Sequence, residues 1–506
     1  MKITRALLSV YDKTNIIKLA SFLEQQRIEI LATGSTYNSL FAAGIKAQEI
    51  SHYTQSSEML EGRIKTLHPK IHSGILCDRK RHKDEIHTLG IIPIDLIVVN
   101  LYPFWDEVNN HSTEEKIIDQ IDIGGVALIR SAAKNFSFTS VISSIQDYDT
   151  IIHEMTKNGN KTTLQYRQYL ATKAFALTAY YDSNIYNWFT EKNVSNNLPE
   201  FFTLYGYKAQ ELRYGENPHQ KAAFYSNRLS QYPLEKVHGK ELSYNNILDI
   251  ESALNIISHF KEPSAVIIKH NNPCGVAIGH NALDAYKKAI SIDKISNFGG
   301  IVSINREIDY ELSRTLNEIF LEVVIAPSIN TYALEILKGK KNLRIIIYQS
   351  IQQNKIYHAK NVTGGFLVQQ VNHHIITPQE LIQVTEHSIT KEEMTDLIFA
   401  WHVCIHVKSN AIVIAKNGCA IGIGAGQTSR IESVKIALQK AGTQCTGAFL
   451  ASDAFLPFTD SIIEMKKKNI KAIIQPGGSL QDKEIIEYAN KNNIAMFFTG
   501  IRSFYH

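Results

Sequence analysis

The chain is poor in cysteine, with five in 506 residues, at positions 77, 274, 404, 419 and 445. The count is odd, the spacing is wide and no C-x-x-C occurs, which argues against a disulfide framework and a structural zinc site. Long apolar runs are missing as well. No stretch reaches the ~18 apolar residues of a membrane span, and residues 1–10 hold Lys2 and Arg5 but no apolar signal core. Charge of one sign is equally scarce. Against 49 Asp and Glu stand 53 Lys and Arg, a formal +4, too thin a basic excess for a dedicated nucleic-acid binder. The expectation is a reduced, cytoplasmic chain with no nucleic-acid or membrane partner, in which local basic pockets can still hold small phosphorylated ligands.

Several motifs are incomplete. There is no G-x-x-x-x-G-K-[ST], which argues against P-loop phosphoryl transfer. GIGAG at 422–426 lacks the third glycine spacing of a dinucleotide fingerprint and reads instead as a tight loop before a helix. Pro273-Cys274 begins like a zinc-deaminase P-C-x-x-C, but position 277 is alanine and the H-x-E partner is missing, so metal-activated water is excluded there.

What is present is ordinary globular material, 44% hydrophobic and 20% charged. At ~150 residues per domain the length amounts to roughly three domains. Short β-rich runs alternate with helical periodicity. Residues 6–10, 29–32 and 94–100 read as strands, and 14–26, 35–43 and 165–189 as helices. IDLIVVN at 94–100 suits a strand covered on both faces, and the alternation implies βαβ crossovers and a parallel sheet. The polar, Asn-rich stretch 191–200 ends in Pro199-Glu200, placing a boundary near 197. Beyond it the alternation resumes. Strands at 264–269, 322–326 and 472–474 run into Pro/Gly loops, and α/β sheets hold ligands beyond the carboxyl ends of strands. No short-period repeat is visible.

Certain segments bring chemistry together. Ser9 and Lys13 in SVYDKT, and Thr33, Ser35 and Thr36 in TGST, place hydroxyls and an ammonium at two successive strand ends. Helix N-capping and a phosphate site explain that pattern equally well. EGRIKTLHP at 61–69 alternates cations, and NLYPF aims Tyr102 beyond the apolar strand. Asp122 precedes Gly124-Gly125 at the start of a helix carrying Arg130 and Lys134. On pattern alone each is as readily structural as functional. The sharpest local signal is Lys269-His270 at a strand end before NNPCG: an imidazole can take a proton from a weak nucleophile while the neighbouring ammonium supports an oxyanion. A surface Lys-His pair at a turn is the competing reading.

Many stretches in one order carry a resemblance: SVYDKT, EMLEGRIKTLHPKIHSGIL, NLYPF, QIDIGG, RSAAKN, LRYGENPHQ, IKHNNPCG, FGGIV, EVVIAP, FAWHVCIHVKSNAIV, AKNG, IGIGAGQTSR, ASDAFLPF, IQPGGS and RSFYH. Over its full length the chain resembles the AICAR transformylase/IMP cyclohydrolase family. The resemblance implies an α/β fold: an N-terminal methylglyoxal-synthase-like parallel-sheet domain over 1–197 (core about 1–146) for the cyclohydrolase. Two cytidine-deaminase-like α/β subdomains without zinc, over 198–506, would serve the transformylase. It implies formyl transfer from 10-formyltetrahydrofolate to the 5-amino group of AICAR, then dehydrative closure of formyl-AICAR to IMP. It also implies a homodimer with transformylase sites at the subunit interface, and no metal requirement.

By the same matching, His270 is the general base, Lys269 the oxyanion support, and Asn417 in AKNG the group positioning the carboxamide and His270. Arg213, beside Tyr214 in LRYG, and Arg502 in RSFYH would bind the phosphate of AICAR. Gly299, Phe455, Phe458 and Asp460 would line the nucleotide and folate pockets, with Glu322 at the ribose. In the cyclohydrolase, Lys65 and Tyr102 would sit near the formyl oxygen and Asp122 and Lys134 at the amide. Ser9, Lys13, Thr33, Ser35 and Thr36 would cradle the phosphate, with Arg63, Thr66, Gly124 and Gly125 nearby.

The chain departs from the family pattern at three places. Ser35 stands where a glycine is usual; were that position at positive φ, Ser35 would cost about 1 kcal/mol. Residues 293–300 read DKISNFGG rather than D-P-x-S-A-F-G-G, and Thr459 replaces an arginine. Two other classes compete. A nucleotide-sensing first domain would need the cradle but not Lys65, Tyr102, Asp122 and Lys134; a dehydrogenase would need a complete fingerprint at 422–426.

Overall fold

A computed structural model describes every residue except 58, 193–196, 227–233, 294, 350–356 and 373. The chain divides into two compact units, Met1–Tyr207 and Lys208–His506. Residues 193–196 of the expected linker, and the departure at Lys294, lie outside the described residues.

In the first unit five strands, β1 (Arg5–Val10), β2 (Glu29–Ala32), β3 (Gln48–Glu49), β4 (Leu96–Asn100) and β5 (Ser140–Ile142), form a sheet ordered β3-β2-β1-β4-β5. Every pairing is parallel. Leu96 to Val99 are all buried, as a strand covered on both faces requires. The helix Ile16–Gln25 buries Ile16, Leu19, Ala20 and Leu23, one face at helical spacing. Because the strands are parallel, the ends of β1, β2 and β4 open on a single rim.

The second unit contains a short ribbon of β6 (Tyr207–Leu212) with β7 (Ala222–Ser226), and a twelve-stranded sheet. That sheet comprises β8 (Leu234–His238), β9 (Ser264–Lys269), β10 (Asn272–Ile278), β11 (Ile301–Ile304), β12 (Val323–Ala326) and β13 (Arg344–Tyr348). A separate hairpin joins β14 (Tyr357–Val362) to β15 (Gly365–Gln370). The sheet then continues with β16 (Ile382–Gln383), β17 (Ile412–Lys416), β18 (Cys419–Gly424), β19 (Phe449–Ser452), β20 (Ala472–Gln475) and β21 (Ala495–Phe498). Its order, β16-β21-β20-β19-β17-β18-β10-β9-β11-β12-β13-β8, is palindromic about the antiparallel β10–β18 contact. Each half has an antiparallel hairpin, three mutually parallel strands beyond it and an antiparallel edge strand. The unit is therefore a duplication with an offset near 147 residues, the separation of the touching pair His259 and His406.

Alternation along the strands builds the layers. Val266 and Ile268 face a core shared by both halves and roofed by the helices Tyr244–Ile257 and Lys391–Cys404, while Ala265 and Ile267 face the other side. Glycines serve close helix–sheet contact. A Cβ on Gly275 would lie 2.4 Å from the Ala289 carbonyl oxygen, and one on Gly422 would lie 2.2 Å from that of Ala437. Gly422 and Gly424 are thus residues of β18, correcting the expected loop at 422–426. The mixed pairing sends the strand ends that run into Pro/Gly loops to different rims. β9 runs antiparallel to β11, which is parallel to β12, so their carboxyl ends lie at opposite rims.

Candidate active sites

In the first unit, the rim of β1, β2 and β4 is tied together by Asn100. Its Oδ1 accepts the backbone N–H groups of Tyr11 (2.6 Å) and Asp12 (3.0 Å). Tyr102 meets Tyr11 edge-on at 5.4 Å and is partly exposed. Asp122 folds back onto the first turn of the helix Gly124–Lys134, where its Oδ1 accepts the Gly125 N–H at 2.6 Å. A Cβ on Gly125 would lie 2.4 Å from Asp122 Oδ2, and one on Gly124 2.5 Å from Thr66 Oγ1, so both glycines are needed for this packing. Burial pushes the Asp122 carboxyl up from its ordinary range; hydrogen bonds from the Gly125 and Tyr102 backbone and the Lys65 charge oppose that. The Lys65 charge and the Tyr102 backbone therefore both act on Asp122. Lys65 also lines a cavity of about 210 Å³ with Gly34, Ser56, Ser57 and His68.

The hydroxyls expected to cradle a phosphate are only partly free. The Thr33 hydroxyl donates to Ser9 Oγ at 3.0 Å, and Ser35 is exposed. Ser35 is the second residue of the helix Gly34–Ala42 and is absent from the positive-φ positions, so the conditional strain does not arise. Thr36 departs from expectation. Its fully buried hydroxyl accepts from the Val10 N–H and donates to the Val10 carbonyl, both at 3.1 Å, and so pins β1 rather than facing a ligand. Lys13 Nζ donates to the Tyr11 carbonyl, and Arg63 pairs with Asp119 at 2.8 Å. Lys134 closes the helix that Gly124 opens, ten residues on, or about 15 Å along the axis. The helix separates it from Asp122. Tyr181, which sequence reasoning missed, accepts the Asp122 N–H at 2.9 Å and donates to the Gln120 carbonyl at 2.8 Å. Nothing in its flat helical context marks it out.

In the second unit, Lys269-His270 sits in the β9–β10 turn. His270 (φ 54°) and Asn271 (φ 58°) both adopt the left-handed conformation. For a histidine this costs about 1 kcal/mol, so the surroundings must hold it there. Lys269 Nζ donates to the Phe298 carbonyl at 2.6 Å, which brings it beside Gly299 (φ 75°). Glu322, just ahead of β12 on the same rim, accepts from Asn246 at 2.8 Å and faces Arg344 at 3.5 Å. By strand pairing, this rim continues to the end of β18, the start of β17 and the end of β19.

The C-terminal segment is anchored on that rim. The Ser503 N–H donates to the Asp453 carbonyl (2.9 Å) and the Ser409 N–H to the Tyr505 carbonyl (3.0 Å). Arg502 is exposed with its guanidinium over Phe504 at 4.5 Å, and Phe455, Phe458 and Asp460 follow β19. A cavity of about 270 Å³ opens between Ser409, Asn410, Gln427, Thr428, Phe504 and His506. Beneath it, buried Arg430 pairs with buried Asp453 at 2.5 Å, a second feature sequence reading missed. Arg213 is exposed over Tyr214, at 5.5 Å.

Asn417 lies elsewhere. The β17–β18 turn that carries it abuts Ile278, whose N–H donates to the Gly418 carbonyl at 2.9 Å, at the far end of β10 from His270. Seven residues of β10 separate the two turns, about 20 Å. One chain does not bring Asn417 to His270. Among the described residues no cluster of His, Cys, Asp or Glu can hold a metal ion, and no helix is long and apolar enough to cross a membrane.

Two α/β units, each presenting polar and cationic side chains on a sheet rim, define an enzyme with two small-molecule sites. Residues 15–127 match the family model described as MGS-like domain, and residues 132–440 match that described as AICARFT/IMPCHase bienzyme. The bifunctional purine biosynthesis protein PurH of Caldicellulosiruptor bescii is 48% identical over 99% of both chains. Those of Thermoanaerobacter sp. and Clostridium botulinum are 47% and 48% identical, over at least 99% of both chains. The chain belongs to the AICARFT/IMPCHase bienzyme family, and its activities are AICAR formyltransferase and IMP cyclohydrolase, the last two steps of IMP synthesis.

Proposed function

We propose that the two activities divide between the two units, with cyclisation in Met1–Tyr207 and formyl transfer in Lys208–His506. In the first unit Lys65 and Tyr102 bind the formyl oxygen of formyl-AICAR, and Asp122 takes one carboxamide proton as that nitrogen closes on the formyl carbon; the C–O bond then breaks and the oxygen leaves as water with that proton and the one from the 5-formamido nitrogen. A carboxyl whose affinity for protons is raised by burial suits that transfer. The reaction is intramolecular, so holding one rotamer supplies much of the acceleration. Ser9, Lys13, Thr33 and Ser35 take the phosphate, with the first-turn N–H groups of the Gly34–Ala42 helix facing the anion. Lys134 approaches from the far end of its helix and contributes less.

In the second unit 10-formyltetrahydrofolate supplies the formyl carbon. His270 removes the proton from the 5-amino group of AICAR as the new C–N bond forms, and Lys269 holds the oxyanion and protonates the departing nitrogen. Phe455 and Phe458, exposed aromatic rings after β19, fit a flat ring system, and Asp460 and Gly299 complete the lining. Arg213 and Arg502 take the phosphate through charge-assisted hydrogen bonds, with Glu322 toward the ribose.

The observation that carries this reading is the left-handed turn at His270, where the imidazole of a left-handed residue and the Lys269 ammonium share one rim. The distance of Asn417 from that rim supports a homodimer in which Asn417 of one subunit completes the site of the other. Five free cysteines support a cytoplasmic location. Purified chain given AICAR and 10-formyltetrahydrofolate should release tetrahydrofolate and IMP together. Without folate it should still convert added formyl-AICAR to IMP. Failure to form IMP from formyl-AICAR would overturn the reading of the first unit, and failure to release tetrahydrofolate that of the second.

A further inference from the structure

We propose that Asp249 and Asp396 are positioning residues for formyl transfer, each clamping the backbone of one two-residue turn so that Lys269-His270 and Lys416-Asn417 project from the sheet. The proposal rests on the reading of those turns given above. Asp249 lies on the helix Tyr244–Ile257, and its Oδ1 accepts the Asn271 N–H at 2.7 Å; the His270 backbone also bonds to the carboxylate. Asp396 lies on the helix Lys391–Cys404. Its Oδ2 accepts the Asn417 N–H at 2.7 Å and its Oδ1 the Gly418 N–H at 2.6 Å. The two carboxylates are related by the same offset that relates His259 to His406.

The rest of the device recurs with them. His270 and Asn271 have φ of 54° and 58°, Asn417 and Gly418 of 52° and 68°. Lys269 Nζ donates to the Phe298 carbonyl and Lys416 Nζ to the Thr446 carbonyl, each at 2.6 Å, and Gly299 (φ 75°) and Gly447 (φ 73°) follow. The carboxylate satisfies backbone N–H groups within a turn that L side chains rarely adopt. A charged acceptor makes these bonds stronger than a neutral one would. The demand is greater in the first turn, where His-Asn stands in place of Asn-Gly. There the Ser252 hydroxyl, 3.1 Å from the Asn271 amide, adds a brace.

The test measures kcat and KM for AICAR in the full chain, with cyclisation of added formyl-AICAR as internal control. Asp249→Ala should lower kcat for transfer about 30-fold while KM changes less than about 3-fold, because a misaimed base costs rate rather than binding. Asp249→Asn, which keeps an acceptor oxygen, should lose about 5-fold. Asn271→Gly in the Asp249→Ala background should recover at least half of the lost kcat on a logarithmic scale, since glycine adopts the turn freely. Asp396→Ala should lose less than Asp249→Ala. Should Asp249→Ala fail to fold, Asp249→Asn decides: a lowered kcat supports the clamp and an unchanged kcat overturns it. Wild-type kcat in both variants, or no recovery by glycine, overturns the clamp. Transfer retained by His270→Ala would overturn the assignment of His270 itself, a separate result.

Discussion

The two units solve the same problem with opposite sheet topologies. In the first, every strand runs one way, so Ser9, Thr33 and Tyr102 leave successive strand ends on one rim, and the Lys65 charge and the Tyr102 backbone both act on Asp122 within a single chain. In the second, duplication about an antiparallel seam turns the halves head to tail. The two copies of the Lys-bearing turn are thereby sent to opposite rims. A parallel sheet concentrates a site; a duplicated mixed sheet distributes it. The second unit retains the internal symmetry in its core, where His259 Nε2 lies 2.8 Å from the Nε2 of its counterpart His406, one donating and the other accepting.

The largest expected effect separates the units. His270→Ala should reduce formyl transfer at least about 10³-fold and leave formyl-AICAR cyclisation at the wild-type rate, measured by tetrahydrofolate release and IMP formation. Lys65→Ala should do the converse, slowing cyclisation about 10²-fold and letting formyl-AICAR accumulate. A folded variant that lost both activities would break the division of labour. Mixing sharpens it further. In the proposed dimer, co-expressed His270→Ala and Asn417→Ala chains should recover roughly a quarter of wild-type transfer, since half of such dimers would be mixed and each of these would hold one intact site. Lys65→Ala mixed with Asp122→Ala should recover no cyclisation, because that site is complete in one chain. Recovery there, or none in the first mixture, would reverse the contrast.

Lys134→Ala should slow cyclisation only about 10-fold or less, well below Lys65→Ala, given its place at the far end of the helix. The smallest effect is one of stability. Burial, with the charges of neighbouring histidines, depresses His259 and His406, and burial depresses His402. Each is held neutral in the folded unit and binds a proton more readily when unfolded. Their contribution is therefore complete above pH ~6.5 and declines as pH falls below that value toward the folded values. Asp122 in the first unit and Asp249 in the second have the opposite sign, since burial raises their folded affinity for protons, and in the first unit only His72 among the described histidines is depressed by burial, against three in the second. Hydrogen exchange followed by mass spectrometry between pH 7 and 5 should show the second unit opening more readily on acidification than the first.

Much of the fold was legible in the chain. Residues 29–32 and 264–269 were expected as strands and are β2 and β9 with the same bounds, because β-branched and apolar runs between turns leave little alternative. The helix expected at 165–189 spans Leu164–Lys192. The segment GIGAG at 422–426 was expected as a loop, because glycine signals a turn locally, yet Gly422–Gly424 belong to β18. Here it serves a helix whose carbonyl oxygens approach within about 2 Å of where a Cβ would sit, a contact made by residues far along the chain.

For the sites, local pattern and family resemblance selected Lys269, His270, Lys65, Tyr102 and Asp122, since an ammonium beside an imidazole, or a carboxyl before paired glycines, is a short-range arrangement of chemistry. Thr36 was chosen as a phosphate ligand by the same logic and is instead spent on β1. A hydroxyl can bond backbone or ligand, and only packing decides which. Tyr181, Asp249 and Asp396 carry no signal in sequence because their partners come from other elements. The amino-acid sequence by itself determined the elements, the reactive side chains and the family. Tertiary structure alone decided the strand order and, in the second unit, the antiparallel seams, and hence which reactive groups share a rim there, because those pairings join residues far apart in the chain that no local pattern encodes.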